Sequence, residues 1–359
     1  MSALLELVRP DLRGFAGYRS ARSDAARGEV WLNANEAPWP SVADRGGRNR
    51  RYPEPQPAAL RDALAALYGC AADALLLGRG SDEAIDLLVR ALCAPGRDAV
   101  VVAPPVFGMY AVSARLHGAR VLEVPLREGV GGFGPDIDAM ADAALSGAAK
   151  LVFLCSPGNP TGEALAPAVI AALAQRLRDA ALVVVDEAYA EFSDVPSAVT
   201  QLQGCDNLVV LRTLSKAHAL AGARVGCLLA APALVRALRR CQAPYPLPVP
   251  SVAAALSALA PGAVARTRRR CHRLALARER LAARLESLPG VRRVYPSQGN
   301  FLLLRLQAPD AALARLQARG IAVRDMRCMP QLGDALRVTV GNAAQNAALL
   351  AALVARGDA

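Results

Sequence analysis

Hydrophobic and polar residues follow two periods along the chain from about residue 58 onward. Short apolar or β-branched runs, typical of buried strands, alternate with stretches in which apolar side chains recur every three or four residues, as on one face of a helix. The strand candidates are Ala99–Ala103, Arg120–Val124, Lys150–Cys155, Ala181–Asp186, Asn207–Arg212 and Val225–Ala230, and the amphipathic stretches include Asp82–Leu92 and Pro167–Arg178. This alternation predicts βαβ units and therefore an α/β fold with a doubly wound, mainly parallel sheet.

A proline-rich break divides the chain into two parts. The segment APYPLPVP (Ala243–Pro250) ends the alternating pattern, and a long helical region follows it to about Leu288. Further strand candidates then surround another helix: Phe301–Leu306, Ala322–Asp325 and Leu336–Val340. We therefore predict an N-terminal arm over residues 1–30, a large domain over residues 31–245 and a small α+β domain over residues 246–359.

Composition excludes several classes of protein. With 359 residues and 53% hydrophobic content, the chain can build one large domain and a smaller one. It contains no run of about 18 apolar residues, and its start carries Glu6 and Asp11, so neither a membrane span nor a secretory leader is expected. Eight cysteines without a C-x-x-C pair and three scattered histidines predict free thiols in a reducing cytoplasm and no metal site.

The formal net charge of +11, from 42 basic and 31 acidic residues, raises the question of a nucleic-acid partner. The densest basic cluster consists of Arg266, Arg268, Arg269, Arg270 and Arg273. Around it, Pro246–Val294 contains no Phe, Tyr or Trp on which bases could stack, and the arginines alternate with Leu and Ala as on a solvated helix face. We therefore predict no nucleic-acid partner. The arginine-rich composition leaves only Lys150 and Lys216 for any lysine chemistry.

A glycine motif precedes the first clear helix. GRGSDE (Gly78–Glu83) follows the apolar run Leu75–Leu77, and Ser81 is suited to cap the helix that it opens. Backbone N–H groups at such a helix start can bind a phosphate. Glu83 stands where a dinucleotide-binding fingerprint has its third glycine, so the motif is not that fingerprint. A plain glycine turn with a capped helix is an equal alternative.

Two more motifs follow predicted strands, where ligands of open α/β sheets bind. CSPGNPTG (Cys155–Gly162) predicts a rigid turn from which the amide of Asn159 can point into the crevice. VVVDEAYAEF (Val183–Phe192) ends an apolar strand with Asp186, and a carboxylate there is costly unless a cation meets it. The protonated pyridine nitrogen of pyridoxal phosphate would be such a cation, and Tyr189 could bind the phenolic oxygen of the same ring. An ordinary turn and a capping aspartate are the alternatives.

The segment RTLSKAHALAGARVG (Arg212–Gly226) gathers the largest number of reactive groups. It supplies the hydroxyls of Thr213 and Ser215, the amine of Lys216 and the guanidinium of Arg224. A phosphate takes hydroxyl donors and a bidentate arginine, whereas an aldehyde takes a lysine as a Schiff base. A free lysine is mostly protonated at neutral pH, but as an imine shielded in a crevice beside Arg224 it has a lower pKa and can then transfer a proton. We predict that Lys216 holds the cofactor and that Lys150 is a solvated residue at the start of a strand.

In this order and spacing, the motifs resemble those of the fold-type-I, pyridoxal-phosphate-dependent aminotransferases, and within them most closely the histidinol-phosphate aminotransferase family. The resemblance covers nearly the whole chain, through WLNANE (Trp31–Glu36), RYPEPQP (Arg51–Pro57), RGSDE, PPVFGMY (Pro104–Tyr110), SPGNPTG, VVDEAY, RTLSKAHALAGAR, APYPL, VRD (Val323–Asp325) and LRVTVG (Leu336–Gly341). It implies reversible amino transfer between L-histidinol phosphate and 2-oxoglutarate, giving imidazole acetol phosphate and L-glutamate, in L-histidine biosynthesis.

The resemblance also implies roles for individual residues. Lys216 would carry the cofactor, Asp186 would pair with the pyridine nitrogen, Tyr110 would stack on the ring, and Asn159 and Tyr189 would hold the phenolic oxygen. The cofactor phosphate would bind the backbone at Ser81 and Asp82, the side chains of Thr213, Ser215 and Arg224, and, in a homodimer, Tyr52 supplied in trans. Arg337 would bind the carboxylate of glutamate, while Tyr18 and Arg324 would bind the phosphate of histidinol phosphate.

Four positions depart from the family pattern. Val106 and Phe107 stand where the family more often has Thr and Tyr, and His218 and Ala223 stand where it more often has Phe and Leu. They remove no group given a role above, and they bear on substrate preference rather than on the chemistry. The alternatives are an aromatic amino acid aminotransferase, a threonine-phosphate decarboxylase and, outside catalysis, a basic binding protein that kept the fold.

Overall fold

The structure is a computed structural model that describes residues 3–18, 20–21 and 30–354, so part of the predicted N-terminal arm lies outside the described residues. The helices are α1 Ala3–Glu6, α2 Pro10–Arg13, α3 Ala58–Tyr68, α4 Ser81–Leu92, α5 Met109–His117, α6 Ile137–Ser146, α7 Pro167–Arg176, α8 Pro232–Cys241, α9 Val249–Leu259, α10 Pro261–Glu286, α11 Pro309–Ala318 and α12 Ala343–Val354. The strands are β1 Leu75–Gly78, β2 Ala99–Val102, β3 Arg120–Glu123, β4 Arg127–Gly129, β5 Gly132–Gly134, β6 Ala149–Cys155, β7 Leu182–Asp186, β8 Leu208–Thr213, β9 Gly226–Leu229, β10 Val291–Val294, β11 Phe301–Leu306, β12 Arg324–Asp325 and β13 Ala335–Thr339.

A seven-stranded sheet forms the centre of the large lobe, in the order β1-β9-β8-β7-β6-β2-β3. The pairs β2–β3, β2–β6, β6–β7 and β7–β8 are parallel, whereas β9 is antiparallel to both of its neighbours. The predicted mainly parallel α/β sheet is therefore confirmed. Because parallel strands end at the same edge of a sheet, β6, β7 and β8 bring their following loops together.

Helices cover both faces of this sheet, and the apolar side chains of its strands divide between them. In β7, Val183 and Val185 join a core with α3, α6, α7 and α9, while Leu182 and Val184 join a core with α1, α4, α5 and α8. This division follows from the two-residue period of a strand, and burial on both faces explains why β7 is apolar at every position before Asp186.

The small lobe is a four-stranded antiparallel sheet in the order β10-β11-β13-β12. One of its faces packs against α10, α11 and α12 through residues such as Leu304, Leu316 and Leu350. Leu303 and Ala335 belong instead to the core that includes one face of the large sheet. The two lobes therefore share apolar packing, and β13 lies close to the large lobe.

The observed elements correct the predicted ones in several places. The long helical region before Leu288 consists of two helices bent by 74°, because Pro261 lacks the N–H that would continue α9 into α10. Strands β1 and β10 and the short β4–β5 hairpin were not predicted as strands, and β12 is shorter than Ala322–Asp325. Leu247 and Ala255 are buried in the core that includes one face of the large sheet together with Leu303 and Ala335 of the small lobe, and the predicted domain boundary at residue 246 stays a prediction.

Candidate active site

A cavity opens at the edge of the large sheet where β6, β7 and β8 end. Parallel pairing sets Cys155 opposite Asp186, and Asp186 opposite Leu211. The cavity is lined by Ser81, Asp82, Phe107, Cys155, Asn159, Asp186, Ala188, Tyr189, Thr213, Ser215, Lys216, Ala221 and Arg224. All of these except Phe107, Cys155, Ala188 and Ala221 were predicted as site residues. Motifs that are far apart in the chain therefore meet in one cavity.

One end of the cavity is built to receive an anion. Helix α4 starts at Ser81 without a capping side chain, so its amino end faces the cavity with its helix dipole. The Thr213 hydroxyl donates to the Ser215 hydroxyl at 2.9 Å, and an Arg224 nitrogen donates to Asp82 Oδ2 at 2.9 Å. At Gly80, which has φ +79°, a Cβ atom would lie 2.8 Å from the Arg224 guanidinium. Glycine is thus required where backbone and arginine approach.

Asp186 lies at the floor of the cavity and is 3% exposed. Its Oδ2 accepts a hydrogen bond from the Tyr110 hydroxyl at 2.9 Å, and its Oδ1 accepts one from the Ala188 N–H at 3.1 Å. Burial raises the pKa of Asp186 to about 6, although both hydrogen bonds act in the opposite direction. Among the described residues no arginine or lysine forms an ion pair with this carboxylate. The site is therefore suited to a cationic ligand atom.

Lys216 extends over the same floor. Its Nζ lies 5.6 Å from the centre of the Tyr189 ring. Loss of hydration, followed by the positive charge of Arg337, lowers the pKa of the Lys216 amine below its usual range, while Asp82 and Asp186 oppose the shift. A lysine with a lowered pKa is more readily available as a neutral nucleophile and proton carrier. Arg224, next to which the sequence analysis placed this lysine, contributes to the shift less than Arg337 does.

Asn159 connects the large lobe to the small one. Its Nδ2 donates to the Tyr189 hydroxyl at 3.4 Å, and its Oδ1 accepts a hydrogen bond from Arg337 on β13. Arg324 on β12 is paired in register with Arg337, so the two side chains lie on the same face of the small sheet. Arg324 is exposed, and Arg337 is held against the ring of Phe301 at 5.3 Å. Two guanidinium groups thus lie side by side near the cavity.

The structure corrects the expected position of Tyr110. Its ring is fully buried and stacks on Phe153 with a centroid distance of 4.7 Å, so it does not line the cavity. Phe107, three residues earlier, forms part of the cavity wall instead. The reason is that Tyr110 lies in the first turn of α5, which faces the sheet, whereas Phe107 lies in the loop before that helix. Of the two aromatic rings in PPVFGMY, Phe107 is therefore the one that a ligand in the cavity could contact, and no spacing rule in that motif distinguishes them.

Two further predicted residues lie away from the cavity in this single chain. Tyr18 is 72% exposed. Tyr52 is 49% exposed and stacks on Tyr245 with a centroid distance of 4.6 Å. Neither lines the cavity, and their predicted roles are taken up below as proposals.

In the described part of the chain, no group of three or more His, Cys, Asp or Glu residues could hold a metal ion. No single helix there is long and apolar enough to cross a membrane, and the bent pair α9–α10 meets that criterion only when its two helices are counted together. All eight cysteines are free thiols.

A doubly wound sheet with a lysine, a buried aspartate and an anion-binding helix start at its carboxyl edge defines a site of the fold-type-I, pyridoxal-phosphate type. The residues present fit that cofactor. The uncapped start of α4, Gly80 and Arg224 match a phosphate, and Lys216 matches an aldehyde. The buried Asp186, which forms no ion pair with any described arginine or lysine, matches a pyridinium nitrogen.

The chain belongs to the aminotransferase class I and II family, whose family model matches residues 21–353. A histidinol-phosphate aminotransferase of Stenotrophomonas maltophilia is 60% identical over 353 residues, which cover 98% of this chain and 97% of that relative. The structure is also similar to histidinol-phosphate aminotransferase from Sinorhizobium meliloti in complex with pyridoxal-5'-phosphate, with a TM-score of 0.76, 27% identity and coverage of 89% and 88% of the two chains. L-threonine-O-3-phosphate decarboxylase from Porphyromonas gingivalis has a TM-score of 0.73, 25% identity and coverage of 87% and 92%. The predicted family is confirmed.

Proposed function

We propose that the protein is a pyridoxal-phosphate-dependent transaminase that transfers the amino group between L-histidinol phosphate and 2-oxoglutarate, giving imidazole acetol phosphate and L-glutamate, in L-histidine biosynthesis. The observation that carries the proposal is the meeting of Lys216, Asp186 and the anion-binding start of α4 in one cavity, with Arg337 above it. The identity of 60% with a histidinol-phosphate aminotransferase over nearly the whole chain supports this choice of substrates.

Different residues of the cavity bind different parts of the cofactor. The backbone at Ser81 and Asp82 and the side chains of Thr213, Ser215 and Arg224 hold the cofactor phosphate. Asp186 holds the ring nitrogen in its protonated form, Asn159 and Tyr189 hold the phenolic oxygen, and Phe107 covers one face of the ring. When bound, pyridoxal phosphate supplies the electron sink for the carbanion at the substrate Cα. Lys216 holds the cofactor between turnovers. Its amine removes the proton from the Cα of the amino donor and, in the other half-reaction, gives a proton to the Cα of the acceptor.

The arginines of the small lobe provide the anion site that two unlike substrates share. Glutamate presents a carboxylate where histidinol phosphate presents a phosphate, and both anions need cationic donors. Arg337, anchored on Asn159, serves as the common partner. Arg324, its neighbour across β12 and β13, and Tyr18 from the N-terminal arm add donors that a phosphate uses more fully than a carboxylate does, because it has more charge and a third oxygen.

These assignments predict that some substitutions impair one half-reaction more than the other. We expect Arg324→Ala or Tyr18→Phe to weaken the histidinol-phosphate half-reaction by about 1–3 kcal/mol relative to the glutamate half-reaction, the range for one lost charge-assisted hydrogen bond. Arg337→Ala should impair both half-reactions. Single-turnover kinetics of each half-reaction, followed by the absorbance of the cofactor, measure the difference. If Arg324→Ala slowed both half-reactions equally, a phosphate-specific role would be ruled out. Arg324 would then be an ordinary surface arginine.

The function itself is tested by the order in which the holoenzyme reacts with its substrates. We expect histidinol phosphate alone to remove the visible absorption band of the lysine-bound cofactor, and 2-oxoglutarate to restore it. A threonine-phosphate decarboxylase, which the similarity to the Porphyromonas gingivalis structure keeps as the alternative, would release carbon dioxide and need no 2-oxo acid. An aromatic aminotransferase would turn over phenylalanine faster than histidinol phosphate, and a binding protein would show no restored band. Any of these results would replace the proposed substrates.

We further propose that the protein acts in the cytoplasm as a homodimer in which Tyr52 contacts the cofactor phosphate bound to the other subunit. The homodimer is supported by an exposed apolar segment that includes Tyr52. Leu32, Trp39 and Val42 are 88%, 77% and 95% exposed in the single chain, more than a surface without a partner usually presents in one stretch. A second copy of the chain would cover these side chains and bring Tyr52 to an active site.

A further inference from the structure

The hydroxyl of Tyr110 is directed at Asp186 by the packing of its own ring. The ring stacks on Phe153 with an interplanar angle of 3° and meets Phe107 edge-on at 5.7 Å. The residue is 0% exposed, and its hydroxyl lies 2.9 Å from Asp186 Oδ2. A ring packed on both sides keeps its hydroxyl beside Asp186 and the neighbouring Cys155 thiol. The hydrogen bond to Asp186 is therefore a built feature of the site.

Asp186 depends on this hydrogen bond because little else stabilises its negative charge. Burial favours the neutral acid, and the Tyr110 hydroxyl is the strongest group that favours the carboxylate, ahead of the Ala188 N–H. Asp82 and Glu187 disfavour it through their own negative charge. The titratable or charged groups whose interaction with Asp186 matters are Tyr110, Cys155, Asp82, Glu187, Tyr189 and Lys216. Lys216 is the only cation among them, and in the proposed function it is bound to the cofactor.

We propose that Tyr110 is a positioning residue that keeps the Asp186 carboxylate ionised and oriented toward the ring nitrogen of the cofactor. The proposal rests on the proposed binding of pyridoxal phosphate but not on the identity of the amino substrate. With Oδ1 held by Ala188 N–H and Oδ2 held by Tyr110, the plane of the carboxylate is fixed, and a remaining lone pair can meet the ring nitrogen. Tyr110 acts through Asp186 and does not touch the cofactor.

The consequence is a change in where Asp186 titrates. With its pKa near 6, the carboxyl is mostly ionised at neutral pH. Loss of a hydrogen bond to a charged oxygen raises such a pKa by about one to two units. In a Tyr110→Phe variant the carboxyl would then be about half to nine-tenths protonated at pH 7, and a neutral acid cannot stabilise a pyridinium charge.

The test compares Tyr110→Phe with Tyr295→Phe in the apoprotein. Tyr295 is a matched control because it is 1% exposed and its hydroxyl donates to the carboxylate of Glu128, outside the cavity. The protonation of Asp186 is followed by carboxyl infrared difference spectra, with Asp186→Asn as the blank. We expect the titration midpoint to rise by about one to two pH units in Tyr110→Phe and to stay unchanged in Tyr295→Phe. An unchanged midpoint in Tyr110→Phe, or an equal shift in both variants, would overturn the proposal.

Two measurements on the holoenzyme complete the test. Nitrogen NMR of ring-labelled pyridoxal phosphate should show loss of the ring-nitrogen proton in Tyr110→Phe, and cofactor affinity should fall about twofold to tenfold at pH 7 and recover at high pH. If Tyr110→Phe does not fold, fluorotyrosine at position 110 alone is the second variant, because it makes the hydroxyl a stronger donor without changing the ring stack. The titration midpoint of Asp186 should then fall. An unchanged midpoint in the fluorotyrosine variant contradicts the proposal. None of these readouts uses an amino substrate, so a different substrate would revise the proposed function without affecting this result.

Discussion

Turnover should disappear in a Lys216→Ala variant, with a loss of at least about 10³-fold in each half-reaction, because no other group in the cavity can form the covalent bond to the cofactor or move the Cα proton. The cofactor should no longer be fixed to the chain by borohydride, which provides a direct chemical readout. Steady-state rates in both directions measure the effect on catalysis. Retained covalent attachment of the cofactor in this variant would show that another lysine carries it.

Lys150→Ala is the matched control, since the chain has no third lysine. Lys150 lies at the amino end of β6, five residues before Cys155, and at about 3.3 Å per residue it is roughly 16 Å from the edge where the cavity opens. We expect wild-type rates and unchanged borohydride labelling in this variant. A large loss of activity would mean that Lys150, and not Lys216, carries the cofactor.

Mixing variants extends the same prediction to the proposed dimer. If Tyr52 acts in the site of the other subunit, a hybrid of one Lys216→Ala chain and one Tyr52→Ala chain contains one site with both residues intact. Activity should therefore reappear when the two inactive or weakened homodimers are allowed to exchange subunits. If Tyr52 acted in its own chain, every site in the hybrid would lack one residue, and no activity would be recovered.

Asp186→Asn should lower the rate by several orders of magnitude while the fold is retained. The amide has the same shape but cannot stabilise the pyridinium charge at the step that removes the Cα proton. Single-turnover kinetics with each substrate measure this loss. A near-normal rate would show that Asp186 serves only to cap the turn through the Ala188 N–H.

The same variant should make the apoprotein more stable at neutral and alkaline pH. The pKa of Asp186 is raised from 3.8 to about 6 in the folded state, so the folded protein binds this proton more tightly than the unfolded chain does. Stability associated with the protonated form is fully present below the unfolded pKa and is lost as the pH rises through about 6. Removing the charge should therefore add about 3 kcal/mol to the free energy of unfolding at pH 8, and almost nothing near pH 3. Denaturant unfolding of both apoproteins across this range gives the comparison, and a constant difference at all pH values would contradict it.

The sequence by itself determined the fold class and most of the cavity. Strands buried on both faces must be apolar throughout, so β6, β7 and β8 were recognisable, and the polar residues that end them had to meet because parallel strands share a carboxyl edge. Lys216 could be selected because arginine replaces lysine almost everywhere else in the chain. Short strands with exposed or half-buried residues, such as Arg127–Gly129 and Val291–Val294, carry no comparable pattern and were missed.

Tertiary structure alone decided which side chains of a motif face the cavity. Phe107 and Tyr110 are both aromatic and only three residues apart, and the packing of α5 against Phe153 determines that one ring lines the cavity while the other supports Asp186. The contact between Arg337 and Asn159 joins residues separated by 178 positions, and it exists because β13 packs against the large lobe. Such contacts depend on how whole elements pack, which no periodicity within one segment encodes.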